Sequence, residues 1–246
     1  MEFSKYKKIY DYSYTLGAFP TLELINNKTE NVLKILINSS FKNEEVLNNI
    51  FIKLPKEKVE ITSSNKIFNI LSDKENVFII GFFKKYHTNL DINDDHILLD
   101  NPSNMGNLGT MIRSSLGFNI KNIAIITPGV DYFDPKVIRS SMGSIFSVNI
   151  EYFDSLKEYK EKYINHIIYS FMLQTDKYLD NYKFNFKNGL YSTLAFGNEA
   201  TGLNYDLYKN ENPIKINISP KIDSLNITNA LTIATYEFDK QKRNNK

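Results

Sequence analysis

Ile97-Leu98-Leu99-Asp100-Asn101-Pro102-Ser103-Asn104-Met105-Gly106-Asn107-Leu108-Gly109-Thr110-Met111-Ile112-Arg113 passes from a short apolar run through a polar, turn-rich segment into a helical pattern. An apolar run without polar alternation is expected of a strand covered on both faces. The helix is expected from about residue 107 to 116, with Gly117 as its C-cap, because glycine takes the left-handed backbone conformation without a side-chain clash. The same order then repeats. Ile123-Ala124-Ile125-Ile126 is a second apolar run, and strands are expected again at 148–152, 167–173, 191–196 and 214–218. Helices are expected at 135–142, at 156–163 and from Ser224 into the 230s. Asp134-Pro135 gives the first of these a capping oxygen and a first-turn proline. The sum is an α/β domain with a mostly parallel sheet and helices on both faces.

Upstream, residues 1–90 read as a small α/β unit with strands at 32–37, 59–61 and 77–82, and helices at 19–26, 44–52 and 64–71. The polar stretch 84–95 carries little apolar surface and is the expected linker, dividing the chain into 1–90 and 91–246. A frayed polar tail is expected at 241–246.

With 246 residues and 42% hydrophobic content, the chain can build packed cores. Its apolar runs are too short to cross a bilayer, and the N-terminus shows no secretory pattern, so a cytoplasmic protein is expected. The absence of cysteine excludes disulfides, thiolate metal sites and cysteine nucleophiles. His87, His96 and His166 show no paired ligand spacing, so no metal is expected. A net charge of +2 does not announce nucleic-acid binding. Any such contact must come from local patches, such as Lys53, Lys56 and Lys58 with Lys84 and Lys85, which read equally as an ordinary solvated surface.

Two later segments join the first: Phe196-Gly197-Asn198-Glu199-Ala200-Thr201-Gly202-Leu203 and Ile222-Asp223-Ser224-Leu225-Asn226. In this order, with Asn104 to Arg113 at their head, the three resemble the signature motifs of the SpoU/TrmH class of SPOUT RNA ribose methyltransferases. The resemblance covers roughly the C-terminal three-fifths of the chain. It implies an S-adenosylmethionine cofactor, RNA (rRNA rather than tRNA) as substrate and a ribose 2′-hydroxyl as acceptor. It also implies a trefoil knot in the C-terminal domain and a homodimer with the active site near the subunit contact. More faintly, residues 1–90 resemble the small α/β RNA-binding domain that many such enzymes carry. The alternative is a non-catalytic RNA-binding or ribosome-associated protein that keeps the fold.

Carried onto this sequence, the resemblance makes Arg113 the catalytic arginine, as a base or by orienting the target phosphate and ribose. Alone, it would read as a helix-surface ion pair. Asn104 is a candidate for fixing the loop or the acceptor nucleotide through its side-chain amide, or else a plain turn residue. Glu199 is a candidate partner of Arg113 or of backbone amides, or else a solvated carboxylate. Ser224 and Asn226 match polar contacts to acceptor or cofactor, and read otherwise as helix caps. Gly197, Ile218 and Leu225 match positions whose main chain holds the cofactor. Arg139, in Val137-Ile138-Arg139-Ser140-Ser141-Met142-Gly143-Ser144, is a candidate RNA phosphate contact.

Overall fold

The computed structural model describes residues 4–72 and 76–245. Met1 to Phe3 of the N-terminal stretch and Lys246 of the polar tail lie outside the described residues. Two compact units are present: residues 1–86 with 131–147, and residues 87–130 with 148–246.

The first unit holds β1 (Tyr12–Leu16), α1 (Ala18–Asn27), β2 (Val32–Asn38), α2 (Glu44–Lys53), β3 (Val59–Thr62), α3 (Lys66–Leu71) and β4 (Ile79–Lys84). Its sheet runs β1-β4-β2-β3, with only the β2–β3 pair parallel. Tyr12 and Tyr14 turn their rings onto Phe82, at 6.5 and 5.8 Å between centroids. Ser13 and Thr15, on the other face of the strand, are also fully buried. Ser13 Oγ donates to the Phe133 carbonyl (2.6 Å), and the Thr15 and Thr21 hydroxyls share a bond of 2.6 Å. β1 therefore buries small polar groups opposite its tyrosines, so the alternation Tyr12-Ser13-Tyr14-Thr15-Leu16, which is not among the expected strands, has no solvated face. Its pairing, Tyr12 with Lys84 through Leu16 with Ile80, carries β4 two residues beyond the expected end.

In the second unit come β5 (His96–Asp100), α4 (Met105–Gly117) and β6 (Asn122–Ile126). The chain then contributes 131–147, with α5 (Pro135–Ser140), to the first unit. Asp134 caps α5 through Lys136 N–H, with Pro135 in the first turn, as the sequence predicts. It returns with β7 (Asn149–Phe153), α6 (Leu156–Lys162), β8 (His166–Ser170), β9 (Tyr191–Phe196), α7 (Tyr205–Tyr208) and α8 (Ile227–Asn244). The five strands form one wholly parallel sheet in the order β7-β6-β5-β9-β8. Leu98, Ala124, Ile126, Phe153, Tyr159 and Ala195 belong to one buried core cluster. At the other end of β5, the His96 and His166 rings meet, tilted by 39°, at 4.2 Å between centroids. His96 shares a 2.8 Å bond with the Tyr159 hydroxyl, and burial with the neighbouring His166 pushes its pKa down to about 3.

Three expectations are corrected. Gly117 is the last residue of α4 and not its cap: Phe118 N–H reaches the Ser114 and Ser115 carbonyls, and the left-handed residue is Asn119 at φ 63°. Residues 214–218 form no strand. Among the described residues they form the isolated bridges Phe171–Ile214 and Tyr178–Lys215, and their alternating isoleucines line a cleft instead of extending the sheet. The expected frayed tail is helical through Asn244, because Gln241 exchanges hydrogen bonds with the Tyr182 carbonyl and Phe184 N–H, and Lys242 pairs with Asp95.

Candidate active site

β5 and β9 are parallel neighbours, Leu99 opposite Phe196, so the segments that follow them emerge side by side at the carboxyl edge of the sheet. That edge is where open parallel sheets bind ligands. After β5 the chain turns through Asn101 (φ 53°), whose N–H bonds the Ile126 carbonyl. Asn104 then caps α4 by accepting from Asn107 N–H at 3.0 Å. After β9, Gly197 is wrapped by its own loop. A Cβ there would stand 2.0 Å from the Gly202 carbonyl carbon and 2.2 Å from Leu203 N. Only glycine fits, whatever ligand is bound.

Asn198 and Gly202 exchange backbone hydrogen bonds of 3.2 and 2.9 Å, closing this loop, and Gly202 sits at φ 68°. The Asn198 side chain organises it further: its oxygen accepts from Ala200 and Thr201 N–H, and its amide donates to the Asn101 carbonyl at 2.8 Å. Glu199 completes the union. Its carboxylate accepts from Ser103 N–H (3.0 Å), Ser103 Oγ (2.7 Å), Asn104 N–H (3.0 Å) and the Asn107 amide (3.3 Å). Burial opposes the charge, but the bonds from Ser103 and Asn104 outweigh it and hold the carboxyl below its usual range. Of the two partners expected for Glu199, the backbone amides are the ones it meets.

Beside this junction lies a cleft of about 210 Å³. It is walled by residues 171–174, 197–203, parts of 214–218, and Ser224, Leu225, Ile227 and Ala230. Phe171 stacks on Phe196 at 4.8 Å between ring centroids at one wall. Gly197, Glu199, Ile218, Ser224 and Leu225 thus share one cleft. Glu199 is the only charged residue in the lining.

The remaining expected site residues stand outside the lining. Asn226 caps α8 by accepting from Thr228 N–H (2.8 Å) and Oγ1 (2.7 Å), the alternative its residue type favours. Arg113 is on the exposed face of α4, roughly 13 Å along the helix axis from Asn104. Among the described residues its guanidinium has no hydrogen bond or ion pair. Arg139 belongs to the first unit. Among the described residues, no group of three or more acidic or histidine side chains is arranged to hold a metal, and no helix is long and apolar enough to cross a membrane. The sequence reading missed Ser103, Asn198 and Ile216. Ile216 carries a signal, since it alternates with Ile214 and Ile218.

A parallel α/β domain with a glycine-looped, largely uncharged cleft at its carboxyl edge is the class these features define. The chain belongs to the SpoU rRNA Methylase family, whose model matches residues 95–236. A 23S rRNA (uridine(2479)-2′-O)-methyltransferase of Streptomyces viridochromogenes is 28% identical over 151 residues, spanning 59% of this chain and 52% of that protein. The chain therefore matches about half the length of that relative. A Mycoplasma pneumoniae protein named as a tRNA/rRNA methyltransferase, the MG252 homolog, is 24% identical over 242 residues, 94% of this chain and 98% of its own length. In structure, the SpoU methyltransferase AviRb of S. viridochromogenes, in complex with AdoMet, superposes with a TM-score of 0.78 at 19% identity, covering 95% of this chain and 92% of AviRb.

Proposed function

We propose that this chain transfers a methyl group from S-adenosylmethionine to a ribose 2′-hydroxyl of RNA, with rRNA the favoured class. The observation that carries this is that the second and third motif segments line one cleft, while Glu199 of the second holds the turn that opens the first beside it. The cleft fits the cofactor: isoleucine and leucine side chains and glycine-loop main chain suit an adenine, and a lining whose one charge is a carboxylate suits a cationic sulfonium. The 23S rRNA 2′-O-methyltransferase among the relatives supports the reaction and, with the family description, favours rRNA. Other relatives are named for 2′-O-methylation of tRNA, so both RNA classes enter the test.

When bound, S-adenosylmethionine supplies an electrophilic methyl on a sulfonium that departs as a neutral thioether. The chain's work is placement, which can lower a barrier by about 7–11 kcal/mol. Gly197, Ile218 and Leu225 would hold the cofactor through main chain, while the Ile218 and Leu225 side chains exclude water. Glu199 acts by positioning, since its oxygens are committed to Ser103, Asn104 and Asn107. Asn104 and Asn226 set the first turns of α4 and α8. Ser224 keeps a hydroxyl at the cleft wall for the acceptor or cofactor. Arg113 orients the target phosphate and ribose.

A homodimer belongs to this proposal. α4 and α8 pack together, with Thr232 Oγ1 donating to Ser114 Oγ at 3.0 Å, and they leave Thr110, Arg113, Ile233 and Tyr236 exposed. Pairing there would cover Ile233 and Tyr236 and give the free Arg113 a place near a shared site. The trefoil knot and an RNA-binding role for the first unit are carried by the resemblance.

The test is transfer of labelled methyl from S-adenosylmethionine to total rRNA and total tRNA by wild type and Arg113→Ala. The expected result is label on ribose in one RNA class, reduced by about a hundredfold or more in the variant. No cofactor binding by wild type would move the assignment to the non-catalytic RNA-binding alternative.

A further inference from the structure

The chain contains only three arginines among its thirty basic residues, and they differ in what they touch. Arg243 pairs with Asp239 at 2.9 Å. Arg113 belongs to the site proposed above. Arg139, half-exposed in the last turn of α5, makes no hydrogen bond or ion pair among the described residues. Asp134, at the start of the same helix, caps it through Lys136 N–H, and Glu23, packed against Gly143, accepts from the Asn27 amide at 3.2 Å. Lys136, on the same helix, is exposed.

The turn that follows is costly by its own geometry. Gly143 N–H bonds the Ile138 carbonyl and Met142 N–H the Arg139 carbonyl, which places Met142 at φ 52° and Gly143 at φ 81°. Helices usually put glycine at the first such left-handed position, because a Cβ crowds the backbone there. The Met142 side chain gains little packing in return, being 36% exposed. Gly143 is pressed against the first turns of α1: a Cβ would stand 2.7 Å from Glu23 Cβ and 3.0 Å from Pro20 Cα. Phe19, next to Pro20, is 55% exposed. An exposed ring, an exposed thioether at a disfavoured position and an unpaired guanidinium therefore flank a single backbone contact within the first unit.

We propose that Phe19, Met142 and Arg139 form a contact surface for an unpaired RNA nucleotide, with ring and thioether against the base and guanidinium on a phosphate. It rests on the reading of RNA as substrate. Unstacked bases are held on aromatic faces without regard to sequence, a methionine adapts its shape to them, and arginine meets phosphate bidentately. Packing alone explains neither the exposed ring nor a methionine where glycine would be easier.

The experiment uses the full chain and a labelled single-stranded oligoadenylate, beside the same strand paired with oligouridylate, with S-adenosylmethionine binding measured in parallel. Wild type is expected to prefer the single strand. Phe19→Leu should weaken single-strand binding about tenfold. Arg139→Ala should weaken it and lower the salt slope by about one phosphate contact. Met142→Gly should raise the thermal midpoint while weakening RNA binding, a combination that a purely structural role does not give. Unchanged oligonucleotide affinity in all three variants overturns the proposal and leaves the apolar pair to a protein partner. Equal wild-type affinity for strand and duplex, or none for either, also overturns it. Loss of cofactor binding by wild type instead strikes the methyltransferase reading and leaves the oligonucleotide result to judge the surface.

Discussion

A carboxylate can hold two chain segments together only if both of its oxygens accept, and Glu199 uses both: Oε2 on Ser103, and Oε1 on Asn104 and Asn107. Glu199→Gln keeps the size but replaces one acceptor by an NH₂ group facing donors. The expected loss is about 1–3 kcal/mol of stability, together with weaker binding of labelled S-adenosylmethionine. Scanning calorimetry and equilibrium binding measure the two effects. The folded carboxyl is held below its ordinary pKa, so its contribution is complete above the unfolded carboxylate range and is lost as pH falls through the folded value. The stability gap between wild type and Glu199→Gln should therefore be full at neutral pH and shrink in acid. A gap that persists unchanged in acid would show that the charge is not what joins the loops.

At the scale of elements, what was legible in the sequence follows from how far away each element's partners lie. β5 and β6 announce themselves because they are buried on both faces, and their apolar runs depend on no particular partner. The motif segments are contiguous and were readable as such. The bonds that make them a site were not, because Asn198 reaches Asn101 and Glu199 reaches Ser103 across nearly a hundred residues. β1 alternates as Tyr12-Ser13-Tyr14-Thr15-Leu16 and is not among the expected strands; what its pattern does not show is that Ser13 and Thr15 are buried too, satisfied by tertiary hydrogen bonds. The end of α8 failed in the opposite sense, since Gln241 and Lys242 look solvated until Tyr182, Phe184 and Asp95 arrive. The Asp95 side chain is 7% exposed and also accepts from Ser192 N–H at 2.8 Å. Ending the chain after Lys240 should therefore cost about 2–3 kcal/mol, after allowing for the partly exposed lysine. Denaturant titration checks this, and a midpoint equal to wild type would return these residues to the status of a frayed tail.

The whole molecule is two compact units that do not divide the chain at one point, since residues 131–147 pack within the first. Phe83 meets Phe133 at 5.8 Å and Phe146 at 5.2 Å, Tyr86 meets Phe133 at 5.1 Å between centroids, and Ser13 bonds the Phe133 carbonyl. A fragment of residues 91–246 keeps both phenylalanines and loses everything just named. Each buried aromatic side chain removes roughly 150–250 Å² from water, so the fragment would expose an apolar patch of the size that drives association. It should aggregate, as seen by light scattering, although every residue lining the cleft lies within it. The fragment carrying Phe133→Ser, Ile138→Ser and Phe146→Ser should stay dispersed and bind labelled S-adenosylmethionine, because those substitutions cut the apolar surface that 131–147 would expose and touch nothing in the cleft. An unsubstituted fragment that remains monodisperse would mean that 131–147 finds burial without the first ninety residues. A substituted fragment that is dispersed but binds no cofactor would mean that the cleft depends on more than the residues that line it.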